Sequence, residues 1–223
     1  MSSSALKLVV FDCDGTLVDS QYNIIRCMNK SFEACDLTPP IENDIRNIIG
    51  LNLEEAIRML MPNPADEPLL HQLVACYRDA FREQRLKQDH EEPLFPGALE
   101  VLEKLYSSNV LLAVATGKSM RGLKAVIKMH GLEKYFTSLQ TPDQNPGKPH
   151  PQMLEKAMAE VGADCSNTYM VGDTSYDMLL ARNAGCHAIG VGWGYHDFQT
   201  LEQSGANHLI YKYDDLPPLV GIE

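Results

Sequence analysis

The sequence predicts an α/β fold, a doubly wound and mostly parallel sheet with an all-helical segment inserted after its first strand. Three observations carry this. Short apolar runs of four to six residues alternate with stretches whose apolar residues fall three and four apart, the pattern of strands buried on both faces and joined by helical crossovers. Between Ser20 and about His90 the alternation stops and only helical spacing remains. Asp, Gly, Thr and Lys follow several of the apolar runs directly, at the carboxyl ends of strands, where such folds place their ligands.

LKLVVF (6–11) is rich in branched residues and bounded by DCDGT, which reads as a buried parallel strand. NIIRCMNKSFEAC, LEEAIRMLM and EPLLHQLVACYRDAFREQRL then have amphipathic helical spacing, and Pro39, Pro40, Pro62, Pro64 and Pro68 divide them into helices and turns. After EEPLFPG comes the helical ALEVLEKLYSS, then the strand VLLAVA (110–115), then the helical SMRGLKAVIKMHG, which Gly131 ends. TYMV (168–171), HAIGV (187–191) and HLIY (208–211) are further strands, with helices at about 151–161 and 175–184, and the glycines from Gly190 to Gly194 read as a loop. The expected organisation is a core domain of residues 1–16 and 91–223 and a helical domain of residues 17–90, hinged near Leu17 and Pro93.

At 223 residues and 44% hydrophobic, the chain can build a sizeable core. Its formal net charge of −11 argues against nucleic acid as a partner, because phosphate-backbone binders need a basic face. No run of eighteen apolar residues occurs, so no membrane span is expected, and MSSSALK lacks the apolar segment of a secretory signal. The expected location is the cytoplasm. Cys13, Cys27, Cys35, Cys76, Cys165 and Cys186 show no C-x-x-C spacing and are expected to be reduced thiols.

Chemistry gathers at the strand ends. LVVF gives way to Asp12, Cys13, Asp14, Gly15 and Thr16; VLLAVA gives way to Thr116, Gly117 and Lys118; TYMV gives way to Gly172 and Asp173, with Asp177 a helical turn later. A fourth group, Gly147-Lys148-Pro149-His150-Pro151, precedes a helix. Strand alternation would set the Asp12 and Asp14 carboxylates on one side and turn Cys13 to the core, so a cation is expected near the two acids or one of them holds a proton. Asp12 and Asp173, with a backbone carbonyl, form the hard-oxygen set that suits Mg²⁺. A phosphate dianion could then be held by the Thr116 hydroxyl, the amides after the strands at Gly15, Thr16 and Gly117, and Lys148. An aspartate so placed can act as a nucleophile, and one two residues away can move the proton.

These four groups, in this order, resemble the motifs of the haloacid dehalogenase superfamily of phosphohydrolases. The helical stretch resembles the four-helix cap of its phosphoglycolate-phosphatase-like and phosphoglucomutase-like members, and GVGWGYHDFQTLEQSGANHLIYKYDDL is similar to the end of phosphoglycolate phosphatases. The resemblance implies Asp12 as nucleophile, Asp14 as general acid/base and main-chain metal ligand, and Asp173 as metal carboxylate. It also implies Thr116 and Lys148 as phosphate ligands and Asp177 as a supporting acid. Arg46-x-x-x-Gly50-Leu51 looks like the family's cap-loop substrate contact, although Arg46 reads equally as a solvated helix charge. The implied substrate is a small phosphorylated metabolite, 2-phosphoglycolate first, hydrolysed with Mg²⁺ by a monomer or homodimer. The alternatives are a phosphosugar mutase, an inorganic pyrophosphatase and a catalytically silent binding module.

Other motif readings fail on their spacing. Leu112 stands where a Walker A loop needs its first glycine, Met178 and Ala184 break a calcium loop begun by DTSYD, and Tyr195 replaces the third glycine of G-x-G-x-x-G. Lys118 and His150 are rim candidates, with His150 also a helix-start residue. Trp193 and Tyr195 are open between substrate, partner and packing. Asp19 is mainly structural.

Overall fold

The protein's structure, a computed structural model, describes residues 6–87 and 90–223. In chain order the elements are β1 (Leu8–Phe11), α1 (Gln21–Glu33), α2 (Glu42–Asn47), α3 (Leu53–Leu60), α4 (Glu67–Arg85), α5 (Ala98–Ser107), β2 (Leu111–Ala115), α6 (Met120–Met129), β3 (Phe136–Gln140), α7 (Gln152–Val161), β4 (Thr168–Gly172), α8 (Ser175–Ala184), β5 (His187–Val191), α9 (Phe198–Gln203), β6 (His208–Ile210) and α10 (Leu216–Leu219). The six strands form one parallel sheet in the order β3-β2-β1-β4-β5-β6.

β1 lies in the middle because every one of its side chains is apolar and fully buried. Val9 and Phe11 point to one face and pack with Leu102 and Leu105 of α5 and Leu123 of α6. Leu8 and Val10 point to the other and pack with Leu154 of α7 and Leu180 of α8. A strand apolar on both faces is stable only between two helical layers, which is the doubly wound arrangement read from the sequence.

α1 to α4 hold a third buried cluster of their own, which includes Met28, Phe32, Ile45, Ile57, Leu70 and Leu73. The two chain segments that join them to the sheet run side by side: Asp19 N donates to Pro93 O at 2.8 Å, Phe95 N donates to Leu17 O at 2.9 Å, and Val18 bridges Leu94 antiparallel.

Four elements lack the expected sequence signals. β3, FTSLQ, is an edge strand in which only Ser138 and Gln140 are buried; Gln140 Nε2 bonds Ser138 Oγ at 2.9 Å, so polar pairing replaces the apolar run that marks the other strands. α2 and α9 have six residues each, too few to show a period, and α10 carries Pro217 and Pro218 in its first turn, where a missing N–H costs nothing. The reading of residues 1–5 and 88–89, including part of MSSSALK and the end of the helical stretch, lies outside the described residues. Among the described residues no helix is long and apolar enough to cross a membrane.

Ile57 is fully buried in the helical cluster. Ile57→Ala is expected to cost about 2–4 kcal/mol. Hydrogen exchange should then speed up in α1 to α4 while the amides of β1 and β4 stay protected; equal acceleration in both regions would show that the helices have no core of their own.

Candidate active site

β2, β1 and β4 are neighbours, so Thr116, Asp12 and Asp173 fall at or just beyond the carboxyl ends of three adjacent strands. All three are essentially buried. Lys148, in the loop before α7, is also buried, with its Nζ 2.9 Å from Asp12 Oδ2 and 2.6 Å from Asp177 Oδ1. Oxygens of Asp12, Asp173 and Asp177 lie within 4.8 Å of one another, which makes this the acidic cluster that could hold a metal ion among the described residues.

The hydrogen bonds separate the three acids. Asp177 opens α8 in a capping box: its Oδ2 accepts from Thr174 N at 3.1 Å and Thr174 Oγ1 at 2.7 Å, while Oδ1 accepts from Lys148. Both of its oxygens are therefore engaged. Asp173 accepts from Thr16 Oγ1 at 2.9 Å and from Tyr195 N at 3.0 Å. Asp12 Oδ1 accepts from Cys13 N at 2.6 Å, but the buried Oδ2 has no aligned hydrogen-bond donor even though Lys148 is beside it. A hard divalent cation bound by Asp12 and Asp173 fits this donor set and would satisfy that oxygen.

Burial pushes the Asp12 carboxyl up to about 7, with Lys148 pulling the other way and Asp177 adding to the rise. Burial also holds Asp173 well above the carboxylate range, reinforced by Asp177 and Asp12. For Lys148 burial disfavours the charge, but Asp12 and Asp177 outweigh it and raise its pKa.

Asp14 does not join this cluster. β1 ends at Phe11, and the turn that follows, closed by Leu17 N to Cys13 O at 2.9 Å, overrides the strand alternation that would have paired the two carboxylates. Asp14 Oδ1 instead accepts from Ser20 Oγ at 2.5 Å and lies 2.9 Å from Lys118 Nζ. The like charges are thus separated, each acid beside its own lysine. Lys118 Nζ also lies 3.5 Å from Glu92, which is fully buried and comes from the second connecting segment. For Lys118 too, burial opposes the charge, and Asp14 and Glu92 reverse the balance and raise the pKa.

Cys13 is buried in the core on the α5 face, as its alternation predicts. Gly15 has φ +81°, and a Cβ there would collide with the Asp173 carboxylate, so both the turn and the close approach require glycine. Thr16 O accepts from Trp193 Nε1 at 3.1 Å and Tyr213 Oη at 2.6 Å, which makes Trp193 a packing and anchoring residue. The Thr116 hydroxyl accepts from Lys118 N at 3.3 Å. His150 lies just before α7, its Nδ1 3.3 Å from Gln152 N. Asp19 Oδ1 bonds Gln21 Nε2 at 3.1 Å.

A cleft of about 540 Å³ opens from Asp14, Gly117 and Lys118 to the helices α1, α3 and α4. Gly50 and Leu51 line it, and their carbonyls lie so close to Gly117 that no Cβ fits there. Arg46 is not part of it. Its Nε bonds Gln21 Oε1 at 3.0 Å and its Nη2 bonds Glu42 at 2.9 Å, so α2 turns the guanidinium away from the cleft. Ser20, Glu92 and Thr174 hold the site's charged groups yet carry no sequence signal of their own, apart from Ser20 closely following the first motif.

Residues 9–191 match the family described as haloacid dehalogenase-like hydrolase. The chain is 38% identical over 213 residues to the "Probable phosphatase IndB" of Dickeya dadantii strain 3937, covering 94% of this chain and 91% of that one. It is 28% identical over 228 residues to a phosphoglycolate phosphatase of Vibrio parahaemolyticus, covering 100% and 99%. The solved structure of a "predicted phosphatase" from Clostridium acetobutylicum superposes with a TM-score of 0.86 at 25% identity, covering 97% of this chain and 99% of that one. With the family matched over residues 9–191, three polar groups at the ends of β1, β2 and β4 and Lys148 brought in beside them, the chain belongs to the haloacid dehalogenase-like hydrolases.

Proposed function

We propose that the protein is a Mg²⁺-dependent phosphatase that hydrolyses a small phosphate monoester through a phosphorylated Asp12. The observation that supports it most directly is the cluster of three buried acids, Asp12, Asp173 and Asp177, that one lysine does not neutralise. Mg²⁺ held by Asp12, Asp173 and the Asp14 main-chain carbonyl would draw charge from the phosphoryl oxygens as a Lewis acid. Thr116, the amides of Thr16 and Gly117, and Lys148 orient the phosphoryl group; the Gly15 amide, expected to join them, already donates to Val18 O at 2.9 Å.

An Asp12 oxygen attacks phosphorus, the bond to the leaving alcohol breaks, and Asp14 gives that alcohol its proton. Asp14 then takes a proton from water, the water oxygen attacks phosphorus, and the bond to Asp12 breaks to release phosphate. Lys118 and Ser20 hold Asp14 in place for both transfers. Residues 17–90 serve as a cap, and the paired segments at Leu17 and Pro93 act as its hinge, so that closure excludes water from the first transfer and readmits it for the second. Among substrates, an ester bearing a second acid is favoured by the basic cleft, 2-phosphoglycolate being the smallest example.

Phosphate release from p-nitrophenyl phosphate tests the assignment. Asp12→Asn should keep the fold by circular dichroism and lose roughly 10³-fold or more in kcat, and Asp14→Asn roughly 10²–10⁴-fold. Normal turnover in Asp12→Asn would remove it as nucleophile.

A pH series checks the charge argument. Burial pushes the Asp12 carboxyl from its ordinary value of 3.8 up to about 7, so its contribution to stability is fully present below about 4 and is lost as pH rises through about 7. In EDTA the melting temperature should therefore fall between pH 5 and pH 8. Excess Mg²⁺ should recover it at pH 8 by about 5 °C or more; identical curves with and without Mg²⁺ would contradict the site.

A further inference from the structure

Although the chain carries a formal charge of −11, the cleft wall inverts that sign locally. It presents Arg78, Arg82, Arg85, Lys118 and Arg121 against three carboxylates, those of Asp14, Glu54 and Asp143. Most of these groups already have partners. Arg78 faces Glu54 at 3.8 Å, Arg82 faces Asp79 at 2.9 Å, Lys118 holds Asp14, and Asp143 Oδ2 accepts from Met120 N at 2.5 Å. Arg85 and Arg121 form no ion pair among the described residues. They are also neighbours: Arg85 Nη2, from α4, donates to Gly122 O at 3.3 Å and so rests on the first turn of α6, beside Arg121.

The ring of Phe81 lies beside both Arg85 and Lys118. Lys118 Nζ lies 5.5 Å from the ring centroid and Arg85 Cζ lies 4.9 Å from it, so the two cations are within about 10 Å of each other and share one aromatic surface. Tyr77, one helical turn earlier and 5.8 Å from Phe81 by centroid, extends that surface. The cleft's volume of about 540 Å³ falls in the range of sites that enclose a molecule of many heavy atoms (about 300–1,000 Å³). Its lining runs from Asp14 and Lys118 to Tyr77, Arg85 and Arg121, which leaves room for a substrate larger than a two-carbon acid.

We propose that Arg85 and Arg121 form a second anion subsite, specific for a carboxylate or phosphate at the far end of the substrate, and that the leaving alcohol is a larger apolar or ring-shaped body lying over Phe81 and Tyr77. This rests on the phosphatase reading of the Asp12 site. One arginine comes from α4 and the other from α6, so a ligand bound to both draws the helical segment onto the sheet domain. The far anion therefore selects the substrate and favours the closed cleft together.

The test compares matched esters on the intact protein with Mg²⁺: phenyl phosphate against 4-carboxyphenyl phosphate, and a hexose 6-phosphate against the hexose 1,6-bisphosphate, with 2-phosphoglycolate as the short acid. The preference, taken as the ratio of kcat/KM within a pair, should exceed about tenfold for at least one pair. The pair that shows it identifies the anion as carboxylate or phosphate. In Arg85→Met and Arg121→Met that ratio should collapse toward one, mainly through KM. Ratios near one in the unmodified protein, ratios insensitive to both substitutions, or a kcat/KM for 2-phosphoglycolate above every longer dianion would each overturn the subsite. Failure to hydrolyse any ester, phenyl phosphate included, would instead overturn the phosphatase reading.

Discussion

Lys148 reaches two of three buried carboxylates, and the rest of the site depends on this imbalance. Asp12, Asp173 and Asp177 meet in space closed to solvent, and one ammonium group cannot balance three negative charges. Burial answers by raising the pKa values of Asp12 and Asp173, which keeps protons on groups that are ionised in water. A divalent cation removes the need for those protons and leaves Asp12 ionised, the form a nucleophile requires. The fold tolerates the arrangement because β1 and β4 are fixed on both faces by apolar packing and cannot splay to relieve the repulsion.

The second acid is handled in another way. Asp14 sits in the cleft beside Lys118, and Lys118 reaches Glu92 on the connecting segment next to Pro93. Gly50 and Leu51 press against Gly117 at the same place. The acid proposed to move the proton is thus tied to residues on both sides of the proposed hinge. The helical segment also touches the Asp12 cluster's support, since Tyr176 Oη donates to Asn47 O at 3.0 Å and Gly50 lies beside Thr174, which bonds Asp177.

Much of this was legible in the sequence, for physical reasons that differ by residue. Strands with unbroken apolar runs, such as LVVF and LLAVA, announce themselves because burial on both faces allows nothing polar; the edge strand FTSLQ does not, since its buried positions are polar and paired. Asp12, Thr116, Lys148 and Asp173 could be named because each stands in a short polar group at a strand or helix boundary. Asp14 was named as well, but the direction of its side chain was not foreseeable, because a turn rather than strand alternation sets it. Arg46 shows the limit of reading a charge by its spacing, for two nearby residues on the helical segment engage its guanidinium. Glu92, Arg85 and Arg121 are distant in sequence from the polar groups or look like solvated helix charges, and only tertiary packing brings them to the cleft.

The most direct measurement of the central claim is calorimetric titration of the protein with Mg²⁺ at about pH 6.5 in buffers of different ionisation enthalpy. One ion per chain should bind with net release of protons, and Asp173→Asn should lose that binding while remaining folded. Absence of binding, binding without proton release, or equal affinity in Asp173→Asn would contradict the account.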